Sequence, residues 1–205
     1  MNENTNAGDE FVRLLSEYTA QLEHESERGT VIVSAALMDE AREDLIKAKL
    51  VPSPEKEDEL FVGAYATLGN FSAKIDFAYR LGLIGLSTRN SLHLIRKLRN
   101  DFAHSSLKES FESNRVKSRV RELFKLNKDL LDFIWAVAKK RDHPKVNKFS
   151  GDIESRQSID CLVAIASWRV IFEILVSVVA LSLKLRNKEI DPLTSWTERS
   201  RKTDT

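Results

Sequence analysis

Three features of the sequence predict an all-α fold, a single-domain helical bundle with a long C-terminal helix. The 205 residues include only 7 glycines and 4 prolines. Glycine is therefore used at about half its ordinary share of roughly 7%, too sparingly for the many tight turns of barrels, sandwiches and Rossmann sheets. Apolar residues recur at spacings of three and four through most of the chain, the periodicity of helices with one buried face. A hydrophobic fraction of 42% is enough for one substantial core at this length.

The elements follow in order. Residues 1–9 are polar and acidic and are expected to be flexible, ahead of a helical domain over 10–190 and a flexible tail over 191–205. Phe11, Leu14, Leu15, Tyr18 and Leu22 mark an amphipathic helix over 10–25. After Arg28-Gly29 a second helix is expected from Thr30 to Leu50. Its inner stripe (Ser34, Ala35, Met38, Ala41, Leu45, Ala48) is rich in small residues that suit close packing. Pro52 and Pro54 open a charged connection, a short helix is expected near Leu60–Thr67, and another over Asn70–Leu81 is ended by Gly82 and Gly85. Ser87 or Thr88 is placed to cap the next helix, Thr88 to His104. Residues 115–140 are helical in pattern with an interruption near Asn127, and His143–Gly151 reads as a loop. A last helix from Glu154 to Arg186 would outrun the diameter of a small domain. Part of it, within Ile159–Leu183, is therefore expected to pack against a second copy in a homodimer.

Composition and missing motifs exclude several function classes. The single cysteine, Cys161, cannot make a disulfide framework or a cysteine zinc site and fits a reducing cytoplasm. No targeting signal is visible in Met1–Glu10. The apolar stretch Cys161–Leu183 carries Arg169, Glu173 and Ser177 at i, i+4, i+8, a polar stripe on a buried helix rather than a membrane span. Lys and Arg number 32 against 31 Asp and Glu, a net charge of +1. With no helix-turn-helix in view, direct DNA binding is expected to be weak and electrostatic. There is no phosphate-binding glycine loop, G-x-S-x-G, H-E-x-x-H or EF-hand loop. His24, His93, His104 and His143 do not fall at metal-ligand spacing with carboxylates, so neither metal nor cofactor is expected. The basic run Arg115-Val-Lys-Ser-Arg-Val-Arg-Glu reads as a solvated helix face.

The most informative stretch runs from Leu92 to His104. Ile95, Leu98 and Phe102 form its buried stripe, and Arg99 falls about 40° from Ile95, at the edge of that stripe. An arginine there is expected to be partly buried and paired with a carboxylate, with Asp39, Glu40 and Asp76 as candidates. Asp76 and Arg80 at i, i+4 could equally pair with each other. Asn100 and His104 share a face one turn apart, and His104 closes the helix where a cation is favoured by the dipole.

Three ordered blocks carry a family resemblance: Arg28-Gly-Thr-Val-Ile-Val-Ser-Ala-Ala-Leu-Met-Asp-Glu, Leu68-Gly-Asn-Phe-Ser-Ala-Lys-Ile-Asp-Phe-Ala-Tyr-Arg-Leu-Gly-Leu-Ile, and Ile95-Arg-Lys-Leu-Arg-Asn-Asp-Phe-Ala-His. Over residues 28–107 the chain resembles the mannitol-operon repressor (MltR-like) family. The resemblance implies an all-helical regulatory or interaction protein of a sugar-alcohol or related operon, with a protein partner and no DNA-reading motif of its own. A second, overlapping resemblance concerns Arg99-Asn100-x-x-x-His104, which is similar to the R-x4–6-H motif of HEPN-type helical domains. That likeness implies the alternative of a metal-independent ribonuclease, or an RNA- or nucleotide-binding module, with its cleft between two subunits. His104 would be general acid/base on a ribose 2′-hydroxyl, Arg99 would stabilise phosphate charge, and Asn100 would orient one or the other.

Overall fold

In the computed structural model, residues 3–104, 109–128 and 159–195 are described, and all the regular structure among them is helical. Helix α1 spans Glu3–Glu23, α2 Glu27–Lys49, α3 Phe71–Arg80, α4 Leu86–His104, α5 Asn114–Leu126, α6 Ile159–Ile165 and α7 Trp168–Arg186, followed by a 3-10 turn over Asn187–Glu189. The all-α expectation and the long C-terminal helix hold. The segment 129–158, with His143 and the proposed loop, and the tail from 196 onward lie outside the described residues.

The bundle is organised on α2 and α7. Helix α7 is buried without a break from Ile171 to Leu181, enclosed by α1, α2 and α5. Phe172 lies against Phe111, whose ring packs on Phe102 of α4 in turn. The polar stripe predicted on α7 has a definite task. Arg169 donates to Glu173 at 2.7 Å and to the carbonyls of Leu22, Glu23 and Glu25, satisfying groups that the end of α1 leaves open.

The stretch expected to meet a second copy packs largely inside this chain. The described residues of Ile159–Leu183 are largely covered by the chain's own helices; Val178, for instance, is 1% exposed. There is not one continuous helix to Arg186, because Ser167 takes an extended ψ of 160° and accepts from Val170 N, capping α7 afresh after α6.

Other boundaries follow local chemistry. Ser26 caps α2 and Asn70 caps α3, each accepting from the backbone N–H three residues on. Gly82 takes a left-handed φ of 71° just past α3, as its position predicts. Helix α4 begins at Leu86, ahead of the expected Ser87 or Thr88 cap, and Ser87 Oγ donates to the Leu126 carbonyl instead. Helix α5 stops at Asn127, whose amide donates to Ser91 Oγ at 2.9 Å. The helix expected near Leu60–Thr67 is absent: those residues form turns that bury Phe61 and Leu68 and close with a Leu68 N to Leu60 O bond of 2.7 Å. Helix α1 starts at Glu3, earlier than residue 10. The first residues of the expected flexible tail lie along the end of α2, where Leu193 N donates to Lys49 O and Lys49 Nζ to Asp191 O, both at 2.8 Å.

Candidate functional site

Helices α2, α3 and α4 meet around a cleft of about 510 Å³. The α2 wall is Ile32, Ala35, Ala36 and Asp39; Gly69, Asn70, Phe71 and Ser72 bring in the start of α3; Arg96, Arg99 and Asn100 come from α4. Small side chains on α2 leave the space open. Gly69 lets the chain turn tightly into α3, since a Cβ there would lie 3.1 Å from Ala66 Cβ.

Beside the cleft lies a buried charge cluster. Arg42, 0% exposed, pairs with Asp39 at 2.6 Å, and its guanidinium stacks 3.9 Å from the Phe71 ring centroid. Burial lowers its pKa to about 10, against the opposing pull of Asp39. Lys74, also buried, bridges Asp39 at 3.0 Å and Glu43 at 2.8 Å. Desolvation alone would raise the Glu43 pKa, but hydrogen bonds from Lys47 and Lys74 outweigh it and hold the carboxyl below its ordinary range.

Arg99 is not where the helical wheel placed it energetically. Ile95, Leu98 and Phe102 are buried as expected, yet Arg99 is exposed and donates to the neighbouring Asn100 Oδ1 at 3.1 Å. It makes no ion pair with Asp39, Glu40 or Asp76 among the described residues. The reason is geometric: the stripe edge that Arg99 occupies opens onto the cleft instead of a packed wall. Asp39 is taken by Arg42 and Lys74, and Glu40 is exposed. Asp76 pairs with Arg89 at 2.6 Å and His93 at 3.2 Å rather than with Arg80. The single carboxylate of α4, Asp101, pairs with Arg115 and Arg119 of α5.

The structure thus brings Arg99 and Asn100 together in the cleft and leaves His104 out of its lining, exposed at the end of α4. Arg28 meets that helix end by donating to the Ala103 carbonyl at 2.9 Å. The basic run of α5 is paired: Arg115 with Glu109, Lys117 with Glu112, and Arg121 with Asp160. Among the described residues no group of three or more His, Cys, Asp or Glu is gathered to hold a metal ion, and no helix is long and apolar enough to cross a membrane.

Sequence reasoning missed Arg42, Lys74 and Arg96. For Arg42 the signal was present: Val31, Ala35, Met38, Arg42 and Leu45 follow a spacing of three and four along one face. Nothing comparable marked Arg96, whose exposure depends on the opening between α2 and α3.

No known protein family matches the sequence, and no curated protein matches it significantly. The fold does match: a chain in the X-ray structure of the MtlR–HPr complex from Escherichia coli superposes with a TM-score of 0.54 at 15% identity, over 84% of this chain and 99% of that one. At that identity the likeness is one of fold, an MtlR-like helical architecture.

Proposed function

We propose that this chain is an MtlR-like regulatory protein that acts in the cytoplasm by binding a partner protein, without a DNA-reading element of its own. The observation that carries the reading is the fold shared over nearly the whole of a chain solved in the MtlR–HPr complex. The three sequence blocks over 28–107 that resemble the mannitol-operon repressor family support it independently. The net charge of +1 and the pairing of the α5 cations fit a protein that does not rely on bulk charge to hold DNA. The ribonuclease alternative has less support, because the cleft takes Arg99 and Asn100 but not His104.

The test is titration calorimetry of the pure chain with HPr from the same organism, with size-exclusion chromatography of the mixture. A saturable complex, with Kd about micromolar or tighter, is the expected result. No complex with HPr, together with cleavage of a mixed RNA pool that His104→Ala abolishes, would replace this reading with the ribonuclease.

A further inference from the structure

We propose that the cleft between α2, α3 and α4 binds the phosphate group of a small phosphate monoester through Arg96 and Arg99. This stands on the chemistry of the cleft and does not depend on the partner-binding reading.

The side-chain oxygens of Asp39, Asn70 and Asn100 in the cleft wall are each engaged from within the protein. Both oxygens of Asp39 are held, by Arg42 at 2.6 Å and Lys74 at 3.0 Å. Asn70 Oδ1 accepts from Ala73 N at 2.8 Å, and Asn100 Oδ1 accepts from Arg99 at 3.1 Å. What remains toward the cleft is a set of donors. Among the described residues Arg96 and Arg99 have no carboxylate partner, and the buried Nε of Arg96 has no hydrogen-bond partner. With one hydrogen bond already accepted by each oxygen, the amides of Asn70 and Asn100 still carry their N–H donors. The first turn of α3, at Phe71 and Ser72, adds N–H groups that no intrahelical acceptor can satisfy. A cleft with many donors and compensated acceptors selects an anion.

Charge and shape narrow the class. Two guanidinium groups without carboxylates match a dianion, and a phosphate monoester carries about −1.5 to −2 at neutral pH, whereas a single carboxylate would leave one arginine uncompensated. The forked guanidinium also fits phosphate oxygens two at a time. The volume of about 510 Å³ lies within the range of small-molecule sites, roughly 300–1,000 Å³. That is more room than a bare phosphate needs. Ile32, Ala35, Ala36 and Phe71 give the rest of the ligand a mainly apolar wall.

The experiment uses the full chain, with phenyl phosphate as the ester, inorganic phosphate as the bare head group, phenol as the neutral body and succinate as a competing dianion. Binding is read by titration calorimetry and by the rise in melting temperature. Phenyl phosphate should bind most tightly, ahead of inorganic phosphate and succinate, with phenol not binding. Arg99→Ala, at an exposed position, should weaken it about tenfold or more, the loss expected of a charge-assisted contact, with folding intact. Ala36→Glu, also exposed, should weaken it through the added carboxylate and provides a second variant that leaves both arginines in place. No binding of phenyl phosphate at about 10 mM, binding by Arg99→Ala and Ala36→Glu as tight as by the parent chain, or tighter binding of succinate would each overturn the assignment. Either outcome of the HPr titration leaves these results readable, since no arm contains HPr.

Discussion

Asp39 separates two regions that treat positive charge in opposite ways. On one side Arg42 and Lys74 are buried and matched to Asp39 and Glu43, binding α2 to α3. On the other, Arg96 and Arg99 edge a cleft with no carboxylate partner among the described residues. A buried guanidinium without a counter-ion would be very costly, so the first region must be paired for the chain to fold. Water meets Arg99 at the cleft mouth, so the second region can hold charge unpaired. The difference teaches that proximity to an apolar stripe does not by itself decide whether an arginine is structural; the opposite wall does.

The largest effect should come from the buried side. Arg42→Ala removes the guanidinium from beside Phe71 and leaves Asp39 with Lys74 alone, and should cost about 3–5 kcal/mol in denaturant unfolding. Lys74→Met keeps most of the volume but takes the shared cation from Asp39 and Glu43. Both carboxylates are partly exposed (34% and 25%), so the cost should be smaller, about 1–3 kcal/mol. If Lys74→Met proves as damaging as Arg42→Ala, the cluster is held by Lys74 and not by the buried pair.

Acid should loosen the same region. The Glu43 carboxyl titrates below its ordinary value of 4.5 in the folded chain, so as pH falls the unfolded chain takes up its proton first. The stability this contributes is present above 4.5 and is lost as pH falls through the lower folded value. Asp76 behaves alike from its ordinary 3.8: desolvation opposes the shift, but hydrogen bonds from Arg89 and His93 outweigh it. Glu43→Gln should therefore flatten the pH dependence of stability between about pH 5 and 3, measured by urea unfolding across that interval. An unchanged slope would show that Glu43 makes no net contribution. The smallest effect is expected from Arg99→Ala, within about 0.5 kcal/mol of the parent, because its only bond among the described residues is to its sequence neighbour.

How much of this was legible beforehand depended on whether local sequence or tertiary packing decided it. Helix α3 was placed within a residue at each end because Asn70 and Gly82 act on their own neighbours. The buried stripe Ile95, Leu98 and Phe102 was legible from spacing alone. The break between α6 and α7 was not, since Ala166-Ser167 interrupts an apolar run that would suit one long helix, and Ser167 signals a cap only once the backbone has turned out. In the site, Arg99 donates to its neighbour Asn100, while Asp39 and Asp76, two of the three carboxylates offered as its partners, are paired with other cations. The buried arginine of the fold is Arg42, on the inward spacing of α2. That the wall facing Arg99 would be open depends on how α2 and α3 diverge, which no local pattern encodes.

The most direct test of this contrast is the exchange of arginine Nε protons with water, followed in ¹⁵N–¹H spectra with and without phenyl phosphate. Arg42, whose Nε is buried, should exchange slowly and stay unmoved by the ligand. Arg99 should exchange fast in the free protein, and its signal and that of Arg96 should shift and gain protection as phenyl phosphate binds. A protected Arg99 in the free protein, or a ligand that shifts Arg42 and leaves Arg99 untouched, would contradict the division between structural and available arginines.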